Sequence, residues 1–126
     1  MRDHRNLRAF KLADELATEV YDVTREFPKS ERYILTAQLK RAALSVPGNI
    51  VEGCGRNSTA DLFRFLDYSF GSLRETGYYL RLSKQLGLLT PQRAKSILNL
   101  HARTSRTLSA YMREVKTWKK RPTERR

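Results

Sequence analysis

Cysteine and histidine are almost missing from this chain, and most of the chemistry they carry goes with them. Cys54 is the single cysteine, so no internal disulfide framework can form, and the chain fits a reducing compartment. With no histidine placed near it in the sequence, Cys54 reads as a small, half-buried structural residue. His4 and His101 are the two histidines. Four-helix bundles that hold two metals use paired Glu-x-x-His motifs, but Leu98 stands three residues before His101. His101 falls on an apolar helical face, where a hydrogen-bonded core histidine is expected. No apolar run approaches the ~20 residues needed to span a bilayer. The charged start "MRDHRNLR" leads into no apolar segment of the secretory kind. The expectation is a soluble, cytoplasmic protein with no membrane partner, metal, cofactor or catalytic residue.

Glycine is sparse except in "SVPGNIVEGCGR", Ser45 to Arg56, which holds three of the six glycines and a proline. A phosphate-cradling P-loop needs G-x-x-x-x-G-K-[ST]. Gly48 and Gly53 have that separation, but Cys54 and Gly55 occupy the lysine and hydroxyl positions. The dinucleotide fingerprint fails at Ser58, where its third glycine belongs. The stretch reads as a helix end. Glu52 and Arg56, four apart, are placed for an intrahelical ion pair.

What the chain has in excess is positive charge. The formal net charge of its 126 residues is +12. Residues 1–27 carry 5 basic and 6 acidic side chains, whereas residues 91–126 carry 11 basic and 2 acidic ones. Such asymmetry points to a polyanionic partner. An apolar fraction of 40% supports a real core and argues against wholesale disorder.

No strand alternation or internal repeat is present, and apolar residues recur at helical spacing. The first helix is expected from about Asn6 to Phe27, stopped by Pro28. Ser30 is the expected N-cap of a second helix carrying Leu35, Leu39, Ala42, Val46 and Ile50. Pro47 should kink it near residues 43–47, and Gly53 and Gly55 should end it through left-handed or unhindered positions. Ser58-Thr59-Ala60-Asp61 resembles a capping box opening a third helix that ends at Gly87. Thr90-Pro91 is an N-cap followed by proline at the first helical position, and the fourth helix runs to about Trp118. Residues 1–121 read as one all-α domain, an antiparallel up-down four-helix bundle, with residues 122–126 a charged tail.

The third helix has more apolar surface than a bundle needs. Leu62, Leu66, Ser69, Leu73, Gly77 and Leu80 form one core stripe. Tyr68, Gly71, Ser72, Glu75, Tyr79, Leu82 and Leu86 lie on a second side, leaving Asp67, Arg74, Arg81 and Gln85 as the polar arc. A helix apolar over most of its circumference is buried on more than one side. Glycine inside a helix costs ~1 kcal/mol unless close approach requires it. Tyr68, Gly71, Tyr79, Leu82 and Leu86 are therefore the expected oligomer interface.

"FPKSERYILTAQLKRAALSVPGNIVEGCGR" and the later "FLDYSFGSLRETGYYLRLSKQLGLL" resemble the bacterial four-helix-bundle family that includes the 23S rRNA intervening-sequence proteins. The resemblance covers about Phe10 to Leu89, and weakly the final helix. The motif S-[IV]-P-x-N-I-x-E-G-x-G-R falls on Ser45 to Arg56, and G-S-x-x-E on Gly71, Ser72 and Glu75. Where the family often has a second acid, this chain has Gly77. The resemblance implies a ring-like homopentamer. It also implies kinship with accessory proteins of diversity-generating retroelements, basic pentamers that bind nucleic acid and a reverse transcriptase. It groups Asn49, Glu52 and Arg56 with Ser72 or Glu75 as a structural polar cluster.

Two functional readings follow. In the first, a non-enzymatic oligomeric bundle binds RNA or DNA through phosphate contacts with low sequence specificity. Lys95, Arg103, Arg106, Arg113 and Lys120 cluster opposite the core stripe of the fourth helix over ~37 Å at 1.5 Å per residue, and Lys116, Lys119 and Arg121 extend the basic end. Such a row follows phosphates without reading bases. In the second, the protein is a scaffold or accessory subunit, for example of a reverse transcriptase.

Overall fold

The computed structural model describes residues 2–118. They form four helices: α1 (Arg8–Thr24), α2 (Leu35–Cys54), α3 (Thr59–Gln85) and α4 (Pro91–Trp118), with short 3-10 turns at His4–Asn6 and Lys29–Glu31. No strand occurs among the described residues.

The main contacts run α1 to α2, α2 to α3, α3 to α4 and α4 back to α1, which is a square of helices around one core. Side-chain pairs fix their directions. Arg56 lies over Phe65, Ser45 meets Ser72, and Arg41 meets Glu75, so residue numbers fall along α2 as they rise along α3. Lys116 lies over Phe63 while His101 reaches Leu73, which makes α4 antiparallel to α3. Arg93 pairs with Asp22 and Glu26 at one end of α1, and Arg2 sits over Trp118 at the other. Neighbouring helices alternate in direction.

The apolar stripes fill the interior. Leu16, Val20, Leu39, Val46, Ile50, Leu62, Leu66, Leu73, Leu80 and Leu108 are all fully buried. Burying a Leu or Val side chain is worth ~1.5–3 kcal/mol relative to leaving it exposed, so this stripe holds the helices together. Buried hydroxyls return to helical carbonyls, as Thr76 Oγ1 does to Ser72 (2.8 Å) and Thr104 Oγ1 to Leu100 (2.8 Å).

The expected caps of the second half are present. Ser58 Oγ accepts from the Asp61 N–H at 3.1 Å, and Thr90 Oγ1 accepts from the Arg93 N–H at 3.2 Å. Gly87, at φ 76°, supplies the left-handed position after α3. Three boundaries differ from expectation. α1 is shorter at both ends, because a 3-10 turn precedes it and Pro28 follows Thr24 by four residues. Ser30 does not cap α2. After Pro28 the chain makes successive bonds of the 3-10 type, Glu31 to Pro28, Arg32 to Lys29 and Ile34 to Glu31, and the α-helical ladder begins at Gln38 N–H to Ile34. The glycine end of α2 stands where expected, after Cys54, with Gly55 right-handed at φ −82° and unhindered rather than left-handed.

α2 stays helical through Pro47. Beside the proline, two side chains donate to α2 carbonyls: Ser69 Oγ to Val46 (2.7 Å) and Asn49 Nδ2 to Ser45 (2.9 Å). Gly53 is there for close approach. A β-carbon on it would stand 3.0 Å from Phe65 Cβ and 3.2 Å from Leu62 Cδ1.

Candidate nucleic-acid interface

α4 presents its buried face to the core through Ala94, Ile97, His101, Thr104, Leu108 and Val115. At 100° per residue, Lys95, Arg106 and Arg113 lie on one line opposite that face, and all three are exposed. The expected row is therefore narrower than five residues in file. Arg103 turns to one side and is half-buried, while Lys116 turns toward α3, its ammonium 5.7 Å from the Phe63 ring centroid. None of these five has an ion-pair partner among the described residues. Arg93, the sixth cation of α4, is committed to Asp22 and Glu26 of α1 at 3.3 and 3.4 Å. Lys119, Lys120 and Arg121 lie outside the described residues, as does the 122–126 tail.

The groove between α3 and α4 adds aromatic surface to the charge. Phe63 and Phe70 from α3 and Met112 from α4 line a cavity of about 170 Å³ with Ser109, Arg113 and Lys116. A neighbouring cavity of about 360 Å³ continues it past Ser105 and Arg106. Half-buried rings beside unpaired cations suit a strand whose bases stack while its phosphates are neutralised. Sequence reading placed the cations and missed the phenylalanines, although Phe63 and Phe70, seven apart, share a helical face.

The residues grouped as one polar cluster divide into three. Asn49 Nδ2 donates to Ser45 Oγ (2.9 Å), whose hydroxyl bonds that of Ser72 (2.7 Å). Glu52 and Arg56 make their ion pair at 2.7 Å, with Arg56 also 4.7 Å from the Phe65 ring centroid. Glu75 accepts from Arg41 at 2.8 Å and from Tyr79 at 3.3 Å. The helix spacing explains the division: Arg41 and Ser45, four apart on α2, meet Glu75 and Ser72, three apart on α3, while Glu52 and Arg56 lie further along, at the end of α2. Arg41, between Gln38 and Glu75, was not anticipated.

Of the interface residues, Tyr68 and Leu86 are about half exposed, and a β-carbon at Gly71 would meet open space. Tyr79 and Leu82 are partly covered by the chain's own core. The exposed apolar surface extends beyond α3. Leu44 and Val51 on α2 are 49% and 40% exposed, and Gly48 between them also has open space. These α2 positions recur at three- and four-residue spacing on the side away from its core stripe, so the signal was available in the sequence.

His101 is a core residue. Its Nε2 donates to the Leu73 carbonyl at 2.7 Å, and burial pushes its pKa down. Cys54 is fully buried rather than half-buried, with its thiol pKa pushed up by burial. Tyr111 is pushed up to about 12, chiefly by burial. No group of three or more His, Cys, Asp or Glu side chains placed to hold a metal occurs among the described residues. Among them, no helix is long and apolar enough to cross a membrane.

A family model described as 23S rRNA-intervening sequence protein matches residues 5–110. A crystal structure of a protein of unknown function from the S23 ribosomal protein family of Bacteroides thetaiotaomicron is similar in fold. Its TM-score is 0.76 at 21% identity, covering 82% of this chain and 97% of that one. No curated protein matches in sequence.

Proposed function

Since the chain belongs to the 23S rRNA-intervening sequence protein family, we propose that it is a non-enzymatic, self-assembling bundle that binds nucleic acid through phosphate contacts with low sequence specificity. The observation that carries this reading is the unneutralised charge of α4. Lys95, Arg103, Arg106, Arg113 and Lys116 have no ion-pair partner among the described residues, and Glu114 is the one carboxylate on the helix. Cations left unpaired by the fold are the ones that release counterions from a phosphate backbone. Self-assembly into a ring would add the rows of several chains, and the exposed Leu44, Val51, Tyr68 and Leu86 support such a contact. The test is fluorescence anisotropy of labelled RNA and DNA strands over a salt series. Binding should weaken steeply with salt and vary little between unrelated sequences of equal length; no binding at low salt ends the proposal.

The same exposed apolar residues favour a second reading, a scaffold or accessory subunit whose partner covers α2 and α3, for example a reverse transcriptase. A reverse transcriptase gene and variable repeat beside this gene would support it. Location inside a 23S rRNA gene would support the intervening-sequence role.

A further inference from the structure

The turn between α1 and α2 holds a second concentration of positive charge, distinct from α4. Pro28 ends the extension of α1, the Lys29–Glu31 turn follows, and α2 begins after Ile34. Isoleucine has no side-chain acceptor, so no side chain caps α2. Its first-turn N–H groups have no acceptor within the helix, and the helix dipole places positive potential there.

Thr36, in that first turn, is 8% exposed, and its Oγ1 is buried without a hydrogen-bond partner. The contrast within the molecule is sharp. Thr24, Thr76, Ser83 and Thr104 each donate to a carbonyl four residues back at 2.7–2.8 Å. A buried hydroxyl without a partner is unusual and calls for a physical reason. Thr36 lines a cleft of about 300 Å³ whose charged residues are Lys29, Arg32 and Lys40. No carboxylate lines it. Glu26, close in sequence, is held by Arg93 at 3.4 Å, and none of the three cations has an ion-pair partner among the described residues. Lys40 is steadied over the Tyr21 ring, 4.7 Å from its centroid, and Arg32 over Tyr33 at 5.6 Å.

We propose that this cleft binds a phosphate-class oxyanion, with Lys29, Arg32 and Lys40 supplying charge and the start of α2, including the Thr36 hydroxyl, supplying neutral donors. Three cations lining one cleft without an ion-pair partner among the described residues, a helix N-terminus and an unused hydroxyl are complementary to a tetrahedral anion with several acceptor oxygens. The source of the anion is either free phosphate or the terminal phosphate of a nucleic-acid strand.

Titration of the full ¹⁵N-labelled chain with inorganic phosphate, ionic strength held constant with chloride, tests the site. Saturable shifts of the Thr36 and Ala37 amides are expected. Arg32→Ala and Lys40→Met should each weaken binding about tenfold, as loss of a charge-assisted contact does. Thr36→Val should weaken it by a smaller factor without lowering thermal stability. Shifts that chloride reproduces, or phosphate affinity unchanged in both charge variants, would overturn the proposal. A 5′-phosphorylated strand and its 5′-hydroxyl counterpart then separate the sources, using the Arg103, Arg106 and Arg113→Glu variant to silence α4. A preference for the phosphorylated strand that Arg32→Ala abolishes assigns the strand end. Equal affinity for both strands, with phosphate still saturating Thr36, assigns the free anion.

Discussion

A β-carbon at Gly77 would stand 2.6 Å from Cε1 and Nε2 of the His101 ring. The ring lies against bare helix backbone, and its Nε2 proton reaches the Leu73 carbonyl one turn earlier. This pairing leaves no room for a side chain at position 77, since any β-carbon there would occupy the histidine's place. Gly77→Ala should therefore destabilise the fold by about 1–3 kcal/mol through overpacking, outweighing the ~1 kcal/mol of helix propensity it regains. Gly71→Ala, in the same helix but facing open space, should stabilise a dilute, unassembled chain by up to ~1 kcal/mol. Urea unfolding of both variants checks the contrast, and equal effects of one sign would refute it.

The same contact makes stability depend on pH. Desolvation holds the folded-state pKa of His101 below the ordinary 6.5, with the nearby Arg81 charge acting in the same direction. The unfolded chain thus takes up the proton first. Stability is full above pH 6.5 and falls as pH drops from there through the folded-state value. Urea midpoints at pH 7.5 and 5.5 should show this loss in the wild type. His101→Gln, which keeps a donor without titrating, should show much less.

How far the sequence spoke for the structure depended on whether one residue or a neighbouring helix decided the outcome. Ser58, Thr90, Pro91 and Gly87 act within their own turn of chain, the first two through a hydroxyl that caps a nearby N–H, and they stand where the spacing put them. Ser30 looks equally good as a cap, but the chain after Pro28 closes short turns that delay α2 to Leu35. The core stripes of α2 and α3 were legible from apolar spacing, with Leu39, Val46, Ile50, Leu62, Leu66, Leu73 and Leu80 all fully buried. The α4 cations were legible too, but not that Lys116 would lean on Phe63 or Arg93 be spent on α1. Those facts require knowing which helices are neighbours. The grouping of Asn49, Glu52, Arg56, Ser72 and Glu75 held only in pieces, Asn49 with Ser72 through Ser45 and Glu52 with Arg56, since the partners Ser45 and Arg41 come from the register of α2 on α3.

Assembly should depend on α2 as well as α3. Leu44→Glu and Tyr68→Glu each place a charge on exposed apolar surface, and Gly71→Leu fills open space. None touches the buried core, so circular dichroism should keep its helical signal. Sedimentation should show a wild-type oligomer and smaller species in each variant. A wild-type monomer would instead make α2 and α3 an ordinary surface or the seat of a different partner.

The charge of α4 gives the most demanding test. Reversing Arg103, Arg106 and Arg113 to Glu lowers the formal charge of the chain from +12 by six. Arg106 and Arg113 are exposed, Arg103 is half-buried, and none is ion-paired among the described residues, so the fold should survive. Each lost phosphate contact removes direct attraction and counterion release together, so affinity should fall by at least ~100-fold and the salt dependence should flatten. A control reversal should avoid Arg81, which lies beside Gly77 and His101. Lys11 and Lys84, exposed on other helices and without an ion pair among the described residues, are better, and their reversal to Glu should cost under about tenfold. Phe70→Ala should weaken single strands more than duplex, because a flat ring recognises only bases that are free to stack. Binding by the triple variant at wild-type strength would show that α4 is a solvated face and leave the scaffold reading in its place.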